Sequence, residues 1–549
     1  MNLRELNVEP GVYVEYKPTT VLPSGFSLNI LALIGRSSTT KKEIENIKRK
    51  DNFINGNGDS RDNLSYPIVP NYIVETITAS DSKVYKRNID FVVSSNVIDW
   101  NTSFGKASLV TNVSDWSQLS SKSIVIEINL TPYIINFSTV GNVDDALITF
   151  QDALSGVATV TKIGSPEQIK ITVLEEINFG SFISSKIKIV DGNGASICGW
   201  YIGEEIYGAS RPAKDIVFTI SYERAKVYPN DYEPIYYFNY SDILSDHGDI
   251  NLEDPTKSSL SLGAKIAFEN GAAVVLCVPM NPHLNDYVAT REALQKLQNY
   301  NVSYLVVLSN NIDLIPLIKD HVNRMSTVTE RKFRKAMIGL PQKPIFDLAN
   351  LARSLNDMRI TLVYPYEAFR YEGNVSLKLN SSYIACELAA KRCATSIPSI
   401  SLLRNVLTSF YDITDTLTRE EKNMLAFSGI TIIEKIPNLN VCRVRDWLTS
   451  SSDSIHRNGE IVDIIDYVSI RAMNLVDNSF IGKPFTDEML LTIKAFLTNF
   501  LDSLVLNGIL NGYSEVEVKK SSVEPTQCDV SFKIIPIYTL KYVYIRFTI

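Results

Sequence analysis

Ala273-Val-Val-Leu-Cys-Val278, Tyr304-Leu-Val-Val-Leu308, Ala336-Met-Ile-Gly-Leu340 and Ile360-Thr-Leu-Val363 are four short, almost wholly apolar runs separated by helix-length stretches. Side chains on a strand point alternately to the two faces of its sheet, so a strand wetted on one face alternates apolar and polar residues. A strand that is apolar throughout must be covered on both faces. Parallel strands are, because the helices that cross between them lie over the sheet. The repeated order of apolar run and helix between Ser258 and Ser409 therefore predicts an α/β domain with a parallel sheet.

Upstream, Leu28-Asn-Ile-Leu-Ala-Leu-Ile-Gly35 predicts a further buried strand ending on glycine; with a charged, Gly/Asn-rich loop from Thr39 to Pro70 it makes up residues 28–71. Residues 1–27 read as an extended arm marked by Pro10, Pro18 and Pro23, in which Val12, Val14 and Tyr16 alternate with Tyr13, Glu15 and Lys17. A lone strand of this kind needs another sheet to join. From Tyr72 the composition shifts to short alternating runs, such as Ser123-Ile-Val-Ile-Glu-Ile-Asn129 and Lys186-Ile-Lys-Ile-Val190, split by turns such as Asp191-Gly-Asn-Gly194. They predict an all-β insertion of one or two small lobes over residues 72–215, with the α/β domain at 216–416.

A C-terminal α+β domain is assigned to residues 417–529. It opens with Thr418-Arg-Glu-Glu421, the pattern of a capping box, and Gly429 closes that helix before a strand from Ile430 to Ile436. A second helix starts after Pro484 with Thr486 as cap; Met489, Ile493, Phe496, Leu497, Phe500 and Leu504 share one face before Gly508. Residues 530–549 read as a strand-like arm. In Leu540-Lys-Tyr-Val-Tyr-Ile-Arg-Phe-Thr-Ile549, Val543, Ile545 and Phe547 lie on one side and Tyr542, Tyr544 and Arg546 on the other. Such a strand must be paired or covered, and pairing within its own domain or with another molecule would both meet that need. The whole reads as a multidomain α+β protein with extended terminal strands.

The chain has 549 residues, 45% of them apolar and 21% charged, enough to build three or four units, since one core stops growing at roughly 250–300 residues. Its net charge is −7 with the basic residues dispersed, which argues against nucleic acid as a direct partner. Residues 1–10 do not read as a signal peptide, and the longest apolar runs fall short of the roughly 20 residues that span a bilayer, so no membrane insertion is expected. The expected site of synthesis is the cytoplasm.

Six cysteines, at 198, 277, 386, 393, 442 and 528, form no C-x-x-C pair and read as buried thiols. His247, His283, His321 and His456 are the only imidazole bases available. Ser396 and Ser399 lack the glycine-flanked turn that exposes a nucleophile, and Gly35-Arg-Ser-Ser-Thr-Thr-Lys-Lys42 lacks the second glycine of a phosphate loop. No catalytic residue, cofactor site or metal site is therefore assigned. Asp412, Asp415, Glu420 and Glu421 surround a helix start, where capping accounts for them. Trp100, Trp116 and Trp200 read as lobe packing, with sugar binding by a baseplate or adhesin protein as the rival.

Two further sets of residues carry a resemblance. Pro10-Gly-Val-Tyr-Val-Glu15 followed by Leu31-Ala-Leu-Ile-Gly35 resembles the start of contractile bacteriophage (myovirus) tail sheath proteins. Leu417-Thr-Arg-Glu-Glu-Lys-Asn-Met-Leu425, Gly429-Ile-Thr-Ile-Ile433, Asp463-Ile-Ile-Asp-Tyr467, Phe480-Ile-Gly-Lys483 and Gly512-Tyr-Ser-Glu-Val516 stand in the order of that family's C-terminal domain. The resemblance covers residues 8–36 and about 215–549, and implies a subtilisin-like topology for the α/β domain.

It also implies a structural, non-enzymatic subunit that stacks as hexameric rings into a helical sheath around a tail tube protein, meets baseplate and tail terminator proteins, and contracts for genome delivery from the virion. The terminal arms would add strands to neighbouring subunits through Val12, Tyr13, Val14, Tyr16, Val543, Tyr544, Ile545 and Phe547. Lys483 and Lys494 are candidates for tube contact. A phage-like bacteriocin or another contractile injection system shares these motifs.

Overall fold

The computed structural model describes residues 29–70, 72–100, 105–227, 230–414, 417–436 and 441–547. Two units emerge: residues 40–226 form one, and the chain on either side of that stretch forms the other.

In the flanking unit, Leu31–Gly35 runs parallel to Val275–Pro279 on one side and Tyr304–Val307 on the other, with Leu33 opposite both Cys277 and Val306. The sheet continues in parallel through Lys335–Gly339, Ile360–Tyr364 and Ile430–Ile436. Among the described residues Ile235–Tyr237 and Val441–Val444 form its two edges in antiparallel sense, giving eight strands. Alternation then sorts the side chains. Leu31, Leu33, Val275, Cys277 and Val306 face a core shared with the helices Ser259–Glu269 and Ser381–Ala394. Ala32, Ile34, Leu276, Val278 and Leu305 face a second core under Asp286–Lys296, Ile315–Met325 and Ile345–Leu355. Each buried Leu, Ile or Val contributes about 1.5–3 kcal/mol, which is why these runs are almost wholly apolar.

Close approach of helix to sheet is set at Gly339. A Cβ there would lie 2.2 Å from the Ser382 amide nitrogen, so the first turn of Ser381–Ala394 rests directly on the strand backbone.

The strand Ile430–Ile436, assigned from sequence to the C-terminal domain, instead pairs with Ile360–Tyr364, and Leu425 of the Arg419–Phe427 helix packs into the second core. The capping box is present: the Thr418 amide donates to Glu421 at 2.8 Å and the Glu421 amide to the Thr418 hydroxyl at 3.3 Å. The C-terminal layer comprises the helices Gly459–Phe480 and Asp487–Leu506 and the hairpin Leu510–Lys520/Cys528–Pro536 around Ile464, Ile465, Val468, Ile493, Leu497, Leu501 and Ile534. Thr486 caps the second helix as expected, whereas Phe496 turns outward and Leu501 takes its place in the core. Among the described residues this helix alone is long and apolar enough to cross a bilayer by length and composition. Counting unbroken apolar runs missed it because Thr492, Lys494, Thr498 and Asp502 interrupt the pattern.

The 40–226 unit corrects three expectations. The charged stretch after Thr39 is not all loop: Thr40–Lys48 is a nine-residue strand paired along its length with Val217–Ala225. Its charges fall on both faces, with Glu43 and Glu45 half-buried, Lys42 and Lys48 exposed and Ile44 turned outward, and so hid the β pattern. The insertion therefore begins about thirty residues before position 72 and ends after 215. Nor is it all-β, since Val143–Ala153 is a helix capped by Asn142, and its Val143, Ala146 and Phe150 pack onto the sheets. Two cores occupy the unit. Trp100, fully buried, meets Tyr85, Phe91 and Phe218 edge-on in one, and its indole donates to Asp62 at 2.8 Å. Trp200 lies in the other with its indole donating to the Val110 carbonyl, and Trp116 packs against that core, so the three tryptophans serve as packing.

Candidate functional site

The hairpin continues to Pro536, so the arm placed at 530–549 starts only after that residue. From Ile537 to Phe547 the backbone pairs with no strand among the described residues. Its side chains nevertheless keep the composition of a strand: Tyr542, Tyr544 and Phe547 are 87%, 81% and 83% exposed, and Val543 and Ile545 are also bare. Val543, Tyr544, Ile545 and Phe547 thus lie together on one exposed segment. Val12, Tyr13, Val14 and Tyr16 fall outside the described residues.

One residue in this segment is held. The Lys541 ammonium donates to both carboxylate oxygens of Asp446, at 2.7 and 2.9 Å, and to Asn458 Oδ1 at 2.7 Å. Asp446 follows the edge strand Val441–Val444, and Asn458 precedes the Gly459–Phe480 helix. Sequence reading passed over Lys541, because nothing in the strand pattern around it points to a partner 95 residues away.

The hairpin itself is a two-stranded ribbon, and neither outer edge pairs with another described strand. Its register shifts twice, and Val530 and Ile535 are exposed along it. Two strands alone are marginal in water, and unpaired edges present rows of free backbone donors and acceptors.

Between the Gly459–Phe480 helix and the parallel sheet lies a charged cluster that sequence reading quoted only as part of a motif. Asp463 and Asp466, one turn apart on Gly459–Phe480, point to the beginnings of three parallel strands. Asp463 pairs with Lys335 and Arg392 and accepts from the Tyr304 hydroxyl. Asp466 pairs with Lys335 at 2.9 Å and with both terminal guanidinium nitrogens of Arg359. Burial pushes the Asp466 carboxyl upward, but Arg359 and Lys335 outweigh it and hold the group below its ordinary value. Burial, reinforced by Asp463, drives the Tyr304 phenol far above the usual range. The cluster braces helix against sheet and presents no free reactive group. Ser396 lines a cleft of about 250 Å³ beside it.

Three of the four histidines, His247, His321 and His456, are buried. Arg334 donates to His321 Nε2 at 3.0 Å, and burial, then Arg334, lowers the imidazole to about 3. His247 Nδ1 meets the Ser37 hydroxyl at 2.9 Å in a buried pair, His456 contacts Asp453, and His283 is exposed. Ser399 donates to the Gly508 carbonyl. Neither Ser396 nor Ser399 is paired with a histidine among the described contacts. Among the described residues no group of three His, Cys, Asp or Glu side chains could hold a metal ion. Burial raises the Cys198 and Cys393 thiols to about 12, leaving them un-ionised. Lys483 and Lys494 are exposed.

No family model matches the sequence. The chain is 27% identical over 337 residues to the tail sheath protein of Mycobacterium phage Bxz1, across 58% of this chain and 57% of that protein. It therefore spans little more than half the length of this curated relative. Among solved structures, the contracted helical sheath of the anti-feeding prophage aligns with a TM-score of 0.48 at 14% identity, over 59% of this chain and 90% of that one. The sheath tail protein of Desulfitobacterium hafniense aligns with a TM-score of 0.40 at 9% identity, over 96% of this chain and 100% of its own. Over these 337 residues the chain is similar in sequence to a phage tail sheath protein, in keeping with the resemblance that its motifs carry.

Proposed function

We propose that this chain is the repeating structural subunit of a contractile phage tail sheath, assembled in the host cytoplasm as stacked hexameric rings around a tail tube. The observation that carries this reading is the segment 540–547, strand-like in composition, exposed, and unpaired with any described strand, on a body that also bears a hairpin whose two outer edges meet no other described strand. A strand added to such an edge gains main-chain hydrogen bonds, and alternate side chains fix its register. We read the hairpin as the acceptor of arms from neighbouring copies, residues 1–27 and 537–549 as the arms, and the eight-stranded unit as the subtilisin-like sheath domain. Baseplate and tail terminator proteins would cap the stack, and Lys483 and Lys494 remain candidates for the tube. Similarity to a structural sheath protein supports a non-enzymatic role. Contraction then needs no bound ligand, since a metastable lattice releases free energy as its subunits shift as rigid bodies.

Negative-stain electron microscopy of the purified chain tests the proposal. Hollow tubes or rings are expected from the full chain, and dispersed monomers after deletion of residues 1–20 or 540–549. Tubes from both truncated forms would remove the strand-exchange reading. The related reading, a bacteriocin or other injection system, predicts the same tubes and differs in the particle from which they are isolated.

A further inference from the structure

We infer that Lys541 is a pin that sets where, and with which face, the C-terminal segment leaves the body, so that the strand beyond it is offered pre-oriented to a second copy of this chain. The inference rests on the reading of residues 537–549 as an exchanged strand. Lys541 is only 17% exposed within a segment whose large side chains are bare, and its partner Asp446 is 20% exposed. The ammonium has three protons to donate, and three acceptor oxygens meet it. Those acceptors are themselves fixed. Asp446 Oδ1 also accepts from the Trp447 amide at 2.9 Å, and Trp447 is buried so tightly against the helix start that a Cβ at Gly459 would fall 2.2 Å from its ring. Asn458 occupies the cap position of that same helix.

In an extended chain, Val543, Ile545 and Phe547 fall on the same side as Lys541, and Tyr542, Tyr544 and Arg546 on the other. A slip of one residue exchanges the two sides, so a fixed Lys541 fixes which side an acceptor edge receives. Without the pin the segment would swing from Pro536, the last residue of the hairpin. Capture would then have to remove the conformational freedom of the intervening residues as well.

The experiment compares the full chain with Lys541→Met, Asp446→Asn, the charge swap Lys541→Asp/Asp446→Lys, and a chain lacking residues 542–549. Assembly is followed by light scattering and electron microscopy, and the body by its thermal midpoint. Both single variants should melt as the parent does and assemble about tenfold more slowly, the loss of one charge-assisted contact. The swap should recover the rate, and added salt should slow the parent more than Lys541→Met. Parental rates in the single variants, with assembly abolished by the deletion, overturn the pin and leave strand exchange standing. Slow single variants without recovery in the swap, or a lowered midpoint in Lys541→Met, also overturn it. Normal assembly of the deleted chain removes strand exchange and the pin together.

Discussion

Arg359 grips Asp466 with both terminal guanidinium nitrogens, at 3.0 and 3.1 Å, tying the residue before the Ile360–Tyr364 strand to the Gly459–Phe480 helix. Both side chains are 6% exposed. Removing one partner of such a pair strands a buried charge. Asp466→Asn should therefore cost about 3–5 kcal/mol in urea unfolding. Arg359→Met combined with Asp466→Leu should cost less than the two single changes added together. A simple sum would mean that the pair does not act as a unit.

The same carboxylate gives an acid response with a definite sign. Its pKa in the folded chain lies below the ordinary carboxylate value, so its contribution is fully present above about pH 4 and is lost as the pH falls through the lowered value. In the Asp466→Asn variant, unfolding free energy should fall less steeply below pH 4 than in the parent.

His321 acts at higher pH. The unfolded imidazole takes up a proton near 6.5, whereas the folded one, held to about 3 by burial and then by Arg334, does not. The unfolded state thus binds more protons throughout that window, and about 1–2 kcal/mol of stability should disappear between pH 6.5 and 5 on its account. In His321→Gln this share of the slope should vanish, as read by urea unfolding at fixed pH values. An unchanged slope would place the titration elsewhere.

Gly339→Ala puts a methyl group 2.2 Å from the Ser382 nitrogen and 2.3 Å from the Ser381 carbonyl carbon, both backbone atoms that cannot rotate away. Overpacking of this kind costs about 1–3 kcal/mol or more, so a lower melting midpoint is expected. A midpoint equal to the parent's would show that the Ser381–Ala394 helix shifts freely on the sheet.

Chymotrypsin offers a simple check on the exposed segment. In monomers, Tyr542, Tyr544 and Phe547 should be cut first, leaving a body of unaltered melting behaviour, and in assembled material the same bonds should resist. Equal cleavage in both states would mean that assembly does not cover the segment.

Much of the sheet was legible in advance because the requirement is local. Runs such as Leu31–Ile34 and Val275–Val278 have no polar residue on either face, and only coverage on both sides satisfies them. The capping box at Thr418 and the cap at Thr486 were legible for the same reason, since the groups that satisfy each other lie three residues apart. Thr40–Lys48 was not, because its charged side chains look like a loop until Val217–Ala225 is placed beside it. The Val143–Ala153 helix was missed amid strands on both sides, although Asn142 with Asp144 and Asp145 is a fair start signal.

The sequence alone determined which surfaces must be hidden: the two-sided strands, the inner stripe of Asp487–Leu506, and the aromatic strand residues from Tyr542 to Phe547. Periodicity along the chain records that need directly. Only the tertiary structure decided what meets what. Asp466 finds Arg359 at a separation of 107 residues and Lys541 finds Asp446 at 95, and contacts between positions so far apart leave no periodic trace in either stretch. The same holds for Ile430–Ile436, whose place in the sheet depends on the neighbour it pairs with, not on its own composition.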